Sequence, residues 1–328
     1  MADDSVTVLL PLVNSIKKNI IRYRAKEETS INIGRDDIPI ELQLNHRFEG
    51  FLKHDSGPND PKRIIIFCSD FKENFVCNSN LWLVDGTFKV VPHGFAQLVT
   101  IHTLIMGRAF PLIYILLQDK TYESYIRAFE IVKSSYNPKL QYVITDFETA
   151  LHDAVKCCFL FVSAEYCWFH FTQAIWRNIQ GKNLVLQYKN NTLVKSLFKK
   201  LANSAFVPPY DVVRVFDLMI AHECSEVLSL CSEFIGYFTK QFIYMVDKTN
   251  IKTSGKYNVN DWNVYFRTIQ SLPRTNNKVE GWHHGFNQAN VISHPNIARL
   301  IGKMKDYEER ARLNIIHALS GRFDVPVV

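Results

Sequence analysis

Four consecutive apolar residues, Leu81–Val84, run directly into a carboxylate at Asp85, with Gly86 and Thr87 behind it. An unbroken apolar run of strand length predicts a strand buried on both faces. Leu81–Val90, Ala96–Met106 and Ala109–Gln118 all read as strands, separated by Gly-containing turns at Pro92-His93-Gly94 and Gly107-Arg108. That spacing predicts an antiparallel meander. Tyr122, Tyr125, Ile126, Phe129 and Val132 then form a helical stripe over Thr121–Ser135, which Asn137-Pro138 ends. Leu140–Ile144 reads as another strand and also leads to acids, Asp146 and Glu148. Thr149–Phe159 has a helical pattern, Ser163–Tyr166 is a short strand, and an aromatic helix follows Cys167-Trp168-Phe169-His170 to about Gln180. Ile64–Cys68 is either a strand or a helix start.

Three strands, then helix, strand, helix, strand, helix predict an α/β domain with a mixed sheet and helices on both faces. The pattern changes over residues 181–272. Val194–Ala202, Asp211–His222 and Glu226–Val246 read as helices and no comparable strand pattern is present, so a largely helical insertion is expected. A last pair of helices is predicted at Asn277–Asn290, carrying Glu280, and at Asn296–Leu319, which is amphipathic and basic. Ahead of the sheet, Leu10–Lys26 reads as a helix with a basic face.

Composition narrows the class. The 328 residues are 47% hydrophobic and 21% charged, which suits a large core and argues against wholesale disorder. The net charge of +6 permits a nucleic-acid partner without requiring one. Seven scattered cysteines without a C-x-x-C pair do not form a disulfide framework, and a reducing compartment is expected. The start, MADDSVTVLLPLV, is acidic where a signal peptide is basic, and no apolar run is long enough to span a bilayer. A soluble intracellular protein without a membrane partner is therefore expected. Lys17-Lys18 with Arg22, Arg24 and Lys26 is the nearest approach to a nuclear import cluster.

The candidate chemistry centres on Asp85, Asp146 and Glu280. Two acids at the ends of neighbouring strands, joined by a third on a returning helix, make an oxygen cage for two Mg²⁺ ions about 4 Å apart, the arrangement of phosphodiester chemistry. Taken singly, Asp85 also reads as a strand-end cap of a turn. Cys167 and His170 form a C-x-x-H pair, either half of a zinc site with Cys157 or Cys158, or a buried thiol and a hydrogen-bonded imidazole. Glu280, His283 and His284 share a helix face, with His283 or His284 touching a phosphate or lining the cleft. Glu148 suits a helix start. Arg274, Lys278 and the Arg/Lys of 299–312 are candidate phosphate contacts or a solvated surface. Trp168, Trp176, Trp262 and Trp282 are candidates for stacking on unpaired bases or for the core.

Four ordered motifs carry a resemblance: W-L-V-D-G-T-F-K at Trp82–Lys89, T-D-F-E at Thr145–Glu148, C-W-F-H-F at Cys167–Phe171 and R-T-N-N-K-V-E-G-W-H at Arg274–His283. Phe110-Pro111-Leu112, Ala205–Pro208 and Trp262–Tyr265 add to it. From about residue 10 to 292 the chain resembles Mutator-like element (MULE) transposase domains of the type associated with FLYWCH zinc fingers. The resemblance implies an RNase H-like fold interrupted by a helical insertion, and a catalytic DDE triad on Asp85, Asp146 and Glu280. It divides the chain into a helical lead-in (1–62), the first part of the catalytic core (63–180), the insertion (181–272), and a return segment with the third acid and a basic helix (273–328). It also implies Mg²⁺-dependent DNA strand cleavage and strand transfer with Mn²⁺ able to substitute, double-stranded DNA as partner, a homo-oligomer on DNA and a nuclear location. Cys167, His170, Arg274, Lys278 and His283 fall to DNA-binding or structural roles. The chain begins with the helix that would follow a zinc finger. A host-adopted derivative acting as a DNA-binding or regulatory protein with little or no catalysis is the alternative.

Overall fold

The computed structural model describes residues 36–289 and 295–321. The helix expected at Leu10–Lys26, with its basic cluster, lies outside them. A single turn, α1 (Ile40–Gln43), precedes β1 (Leu52–Asp55), β2 (Ile64–Phe67) and α2 (Asp70–Asn78). The meander is β3 (Leu81–Thr87), β4 (Gln97–Ile105) and β5 (Arg108–Leu117). Then come α3 (Tyr122–Tyr136), β6 (Tyr142–Thr145), α4 (Thr149–Cys158), β7 (Ser163–Tyr166) and α5 (Trp168–Gly181).

The seven strands form one sheet in the order β1-β2-β5-β4-β3-β6-β7. β3 pairs antiparallel with β4 but parallel with β6, and β6 pairs parallel with β7. The sheet is therefore mixed, flanked by helices, and consistent with an RNase H-like arrangement. Strand periodicity divides the core. Ile64 and Ile66 of β2 join Trp82 and Val84 of β3 on the face covered by α3 and α4. Ile65 and Phe67 face the other way, towards the C-terminal helices. Apolar demand on both faces is why these strands read as unbroken hydrophobic runs. Pro111 sits where the β4–β5 register slips, so its missing N–H falls at a bulge rather than in a regular ladder.

Between α5 and the last two helices lie α6 (Val185–Asn190), α7 (Thr192–Asn203), α8 (Val212–Ala221), α9 (Ser225–Leu230) and α10 (Ser232–Phe238). The hairpin β8 (Tyr244–Val246) and β9 (Lys252–Ser254) follows, then α11 (Val259–Trp262) and α12 (Tyr265–Ile269). The expected continuous helix Glu226–Val246 is broken. It divides at Cys231, passes through a π-helical turn at Thr239–Ile243 and ends as a strand, because Tyr244–Val246 pairs with Lys252–Ser254. Aromatic side chains hold this segment together: Phe171 of α5 stacks on Trp262 at 4.8 Å, and Trp262 Nε1 donates to Phe242 O at 3.1 Å. Two motifs far apart in sequence bind each other here. Val264 N–H donates to Ala205 O at 2.8 Å and Asn263 Nδ2 to Val207 O at 2.8 Å.

The chain closes with α13 (Asn277–Ala289) and α14 (Ile297–Leu319), the latter capped by Asn296 Oδ1 accepting from Arg299 N–H. Leu300, Ile301 and Met304 pack on the sheet. The basic residues of α14 are partly taken up inside the molecule. Lys305 Nζ donates to Glu41 O at 2.7 Å, and Arg312 pairs with Glu49 at 2.7 Å. These two, expected as candidate phosphate contacts, pin the N-terminal part of the described chain instead. Beneath them Lys72 and Glu308 form a buried ion pair at 2.5 Å, with Ser69 Oγ donating to the same carboxylate at 2.5 Å.

Candidate active site

Register brings the first two acids together. Val84 lies opposite Thr145 on the parallel strands β3 and β6. The next residue after each is an aspartate, so Asp85, still paired with β4, and Asp146, just past the end of β6, stand side by side. Each feels the cost. Burial, and then the negative charge of Asp146, pushes the Asp85 carboxyl well above the usual range. Burial and then Glu148 raise Asp146 to about 7. Asp146 Oδ1 is buried and has no hydrogen-bond partner.

Local contacts fix Asp85. Its Oδ1 accepts from Gly86 N–H at 2.8 Å, and its Oδ2 lies 3.3 Å from His283 Nδ1. His283 is buried, and its Nε2 meets Thr100 Oγ1 at 2.8 Å. Burial and then His170 lower the His283 pKa to about 4, so the ring is neutral at neutral pH. The Thr100 hydroxyl thus meets both the His283 ring and Asp85 O, the latter at 3.3 Å, and ties α13 to the strand that carries the first acid. His284 points elsewhere, to Gln288 at 2.8 Å.

Gly86 has a steric reason. A Cβ there would stand 1.8 Å from Gln97 Nε2. With that space open, Gln97 donates to Glu148 Oε2 at 3.3 Å, and the Tyr125 hydroxyl contacts both Gln97 and Glu148. Glu148 stands at the N-cap position of α4 as its place before a helix suggested, yet its carboxylate makes no cap hydrogen bond and turns to Tyr125 and Gln97. Neither Gln97 nor Tyr125 stood out in the sequence, where each reads as an ordinary strand or helix residue. Lys120 also went unnoticed. Its charge acts on Asp146 and its ammonium sits 3.2 Å from the Phe88 ring centroid.

The third acid arrives on α13. Burial raises the Glu280 carboxyl, and its charge in turn contributes to the rise at Asp85. Glu280 Oε1 lies 3.2 Å from His170 Nε2 but lacks the geometry of a hydrogen bond. Burial and then Arg177 lower the His170 pKa to about 4, so this contact joins a carboxylate to a neutral ring. The C-x-x-H pair docks this helix. Cys167 N–H donates to Thr145 O at 2.8 Å, Trp168 N–H to Arg274 O at 3.0 Å, and Asn276 N–H to the Cys167 sulfur at 3.1 Å. Cys167 is thus a buried acceptor at the N-terminus of α13. Cys158 faces Ile126 O and Cys157 is exposed on α4, so the zinc alternative does not assemble from them.

Glu280, His283 and Asn287 share one face of α13, and Asn287 Oδ1 accepts from Thr87 Oγ1 at 3.3 Å. Arg274 is exposed over the Phe206 ring, and Lys278 is exposed with its ammonium on Gly107 O. Of the tryptophans, Trp262 is core, Trp282 stacks on Phe286, and Trp168 and Trp176 are half-buried. Among the described residues no three His, Cys, Asp or Glu side chains form a ready metal cage. The arrangement is an adjacent pair of acids with a third on the helix that faces them.

The sequence model of the MULE transposase domain matches residues 81–174, from the start of β3 into α5. That span holds Asp85, Asp146, Cys167 and His170, and stops before Glu280. A search of the curated proteins finds no match.

Proposed function

We propose, with the MULE transposase match over residues 81–174 as premise, that this chain is a DDE-type DNA transposase catalytic domain cleaving and joining DNA strands. The observation that carries the reading is the Asp85–Asp146 pair on neighbouring parallel strands, faced by the α13 helix bearing Glu280 and His283. The residues fit divalent cations. Two buried carboxylates with raised pKa values, and unpartnered oxygens on Asp146 and Glu280, are the donor set that hard cations take. Asp85, Asp146 and Glu280 would hold Mg²⁺, or Mn²⁺ in its place. When bound, such ions supply charge for the developing oxyanions and lower the pKa of bound water.

The chain's own groups prepare that site. Gly86 N–H and His283 orient Asp85, and Thr100 fixes the His283 ring. His170 stands against Glu280, and the Cys167–Asn276 contact sets where α13 begins. Exposed Arg274 is available to DNA phosphates, whose contacts make binding salt-dependent. Double-stranded DNA is the proposed partner, in a homo-oligomer and in the nucleus.

The test is a cleavage assay. Purified protein with Mg²⁺ or Mn²⁺ and nicked or terminal-repeat duplexes should yield cut strands and strand-joined products, and Asp85→Asn should abolish both. Tight DNA binding with no products from the unaltered chain would overturn the reading and leave a non-catalytic derivative.

A further inference from the structure

A cavity of about 410 Å³ opens between α5, α6 and α7, outside the acid cleft. Phe169, Trp176 and Tyr188 line it, and Thr172, Gln173 and Lys199 bring polar groups to it. The volume falls in the range of about 300–1,000 Å³ typical of small-ligand sites, which also combine apolar walls with a few polar groups.

Position and charge say what fits. Phe169 and His170 are consecutive on α5 with ring centroids 5.6 Å apart, and His170 touches Glu280. One helix therefore lines both the cavity and the acid cleft. Residues 166–210 contain no Asp or Glu but carry Arg177, Lys182, Lys189, Lys195, Lys199 and Lys200. Without these six, the remaining 32 Lys and Arg equal the 32 Asp and Glu, so this segment accounts for the whole net charge of +6. Lys182 and Lys200 meet Glu233 and Glu223. Arg177, Lys189, Lys195 and Lys199 have no carboxylate partner among the described residues.

We propose that this cavity receives an unpaired nucleobase of the DNA strand. The sugar-phosphate backbone follows the cations of α5–α7, and an aromatic wall stacks on the base. Gln173, which both donates and accepts, is suited to a base edge. Stacking on aromatic side chains within a positively charged groove is the general means of holding single strands. The inference rests on the DNA-strand reading above and adds a second contact beside its acids.

The experiment measures affinities of the full chain for a single-stranded oligonucleotide and for a duplex of equal length by fluorescence anisotropy. Trp176→Ala should weaken single-strand binding at least fivefold and leave duplex binding within about twofold, while Trp176→Phe should retain most of the affinity. Ala202→Trp, which fills the cavity from its wall, should reproduce the loss if Trp176→Ala unfolds. Folded Trp176→Ala and Ala202→Trp proteins with unchanged single-strand affinity would overturn the inference while leaving duplex cleavage, and the reading it rests on, intact. An unaltered chain that neither binds nor cuts DNA would overturn both.

Discussion

The Asn276 amide donates to the buried Cys167 sulfur at 3.1 Å, tying the helix of the third acid to the end of β7. Cys167 N–H donates in turn to Thr145 O, directly before Asp146. One buried residue therefore references two acids to each other across a wide gap in sequence. Cys167→Ala should remove this acceptor and leave a small void, costing about 1–3 kcal/mol of stability in urea denaturation. It should also reduce divalent-cation affinity. A variant as stable and as avid as the parent would show that the thiol contact does not position α13.

Gly86 and Gln97 provide a test of steric origin. Gly86→Ala places a methyl 1.8 Å from the Gln97 amide and should cost about 1–3 kcal/mol, as overpacked positions do. Adding Gln97→Ala should recover part of that loss, giving a non-additive cycle in denaturant melts. Strict additivity would rule out the clash.

The metal-free protein should lose stability as pH rises. Asp146 titrates near 3.8 when free and at about 7 in the fold. A raised folded pKa contributes stability that is complete below about pH 4 and is lost as pH climbs to about 7. Asp146→Asn removes the Asp146 share of that dependence and leaves the share of Asp85, whose carboxyl burial also raises. In EDTA it should stabilise the protein by up to about 4 kcal/mol at pH 8, and by almost nothing near pH 4. Urea melts at pH 8, 6 and 4 measure this, and a gain independent of pH would contradict it.

The buried Lys72–Glu308 pair offers a prediction away from the site. Lys72→Ala leaves Glu308 buried without its cation and should cost about 3–5 kcal/mol. Lys72→Met with Glu308→Leu should restore most of the loss. Thermal and urea melts of the single and double variants check both statements.

Much of the sheet was legible in the sequence. β3 and the meander are apolar on both faces, and Asp85 and Asp146 were visible as breaks in the apolar runs of β3 and β6. β1 was not, because Leu52–Asp55 is half-exposed throughout and lacks alternation. α2 escaped because its inward face includes Lys72, whose buried ammonium is invisible to a hydrophobic pattern. β8 and β9 are three residues each and mostly exposed, so their pairing rests on backbone hydrogen bonds rather than on an apolar face. At the site, Asp85 and Asp146 could be suspected from the apolar runs they end, and Glu280 from its place on a returning helix, but the gap of 134 residues between Asp146 and Glu280 hides whether they meet. Gln97, Tyr125 and Thr100 act through contacts between distant segments, which single-residue patterns do not carry.

The central claim is that Asp85, Asp146 and Glu280 serve one cation site, and Mn²⁺ titration followed by electron paramagnetic resonance tests it without requiring turnover. The account predicts that the unaltered chain binds Mn²⁺ and that Asp85→Asn, Asp146→Asn and Glu280→Gln each weaken binding at least about tenfold. Absence of Mn²⁺ binding in the unaltered chain, or a Glu280→Gln protein that binds as the parent does, would contradict it.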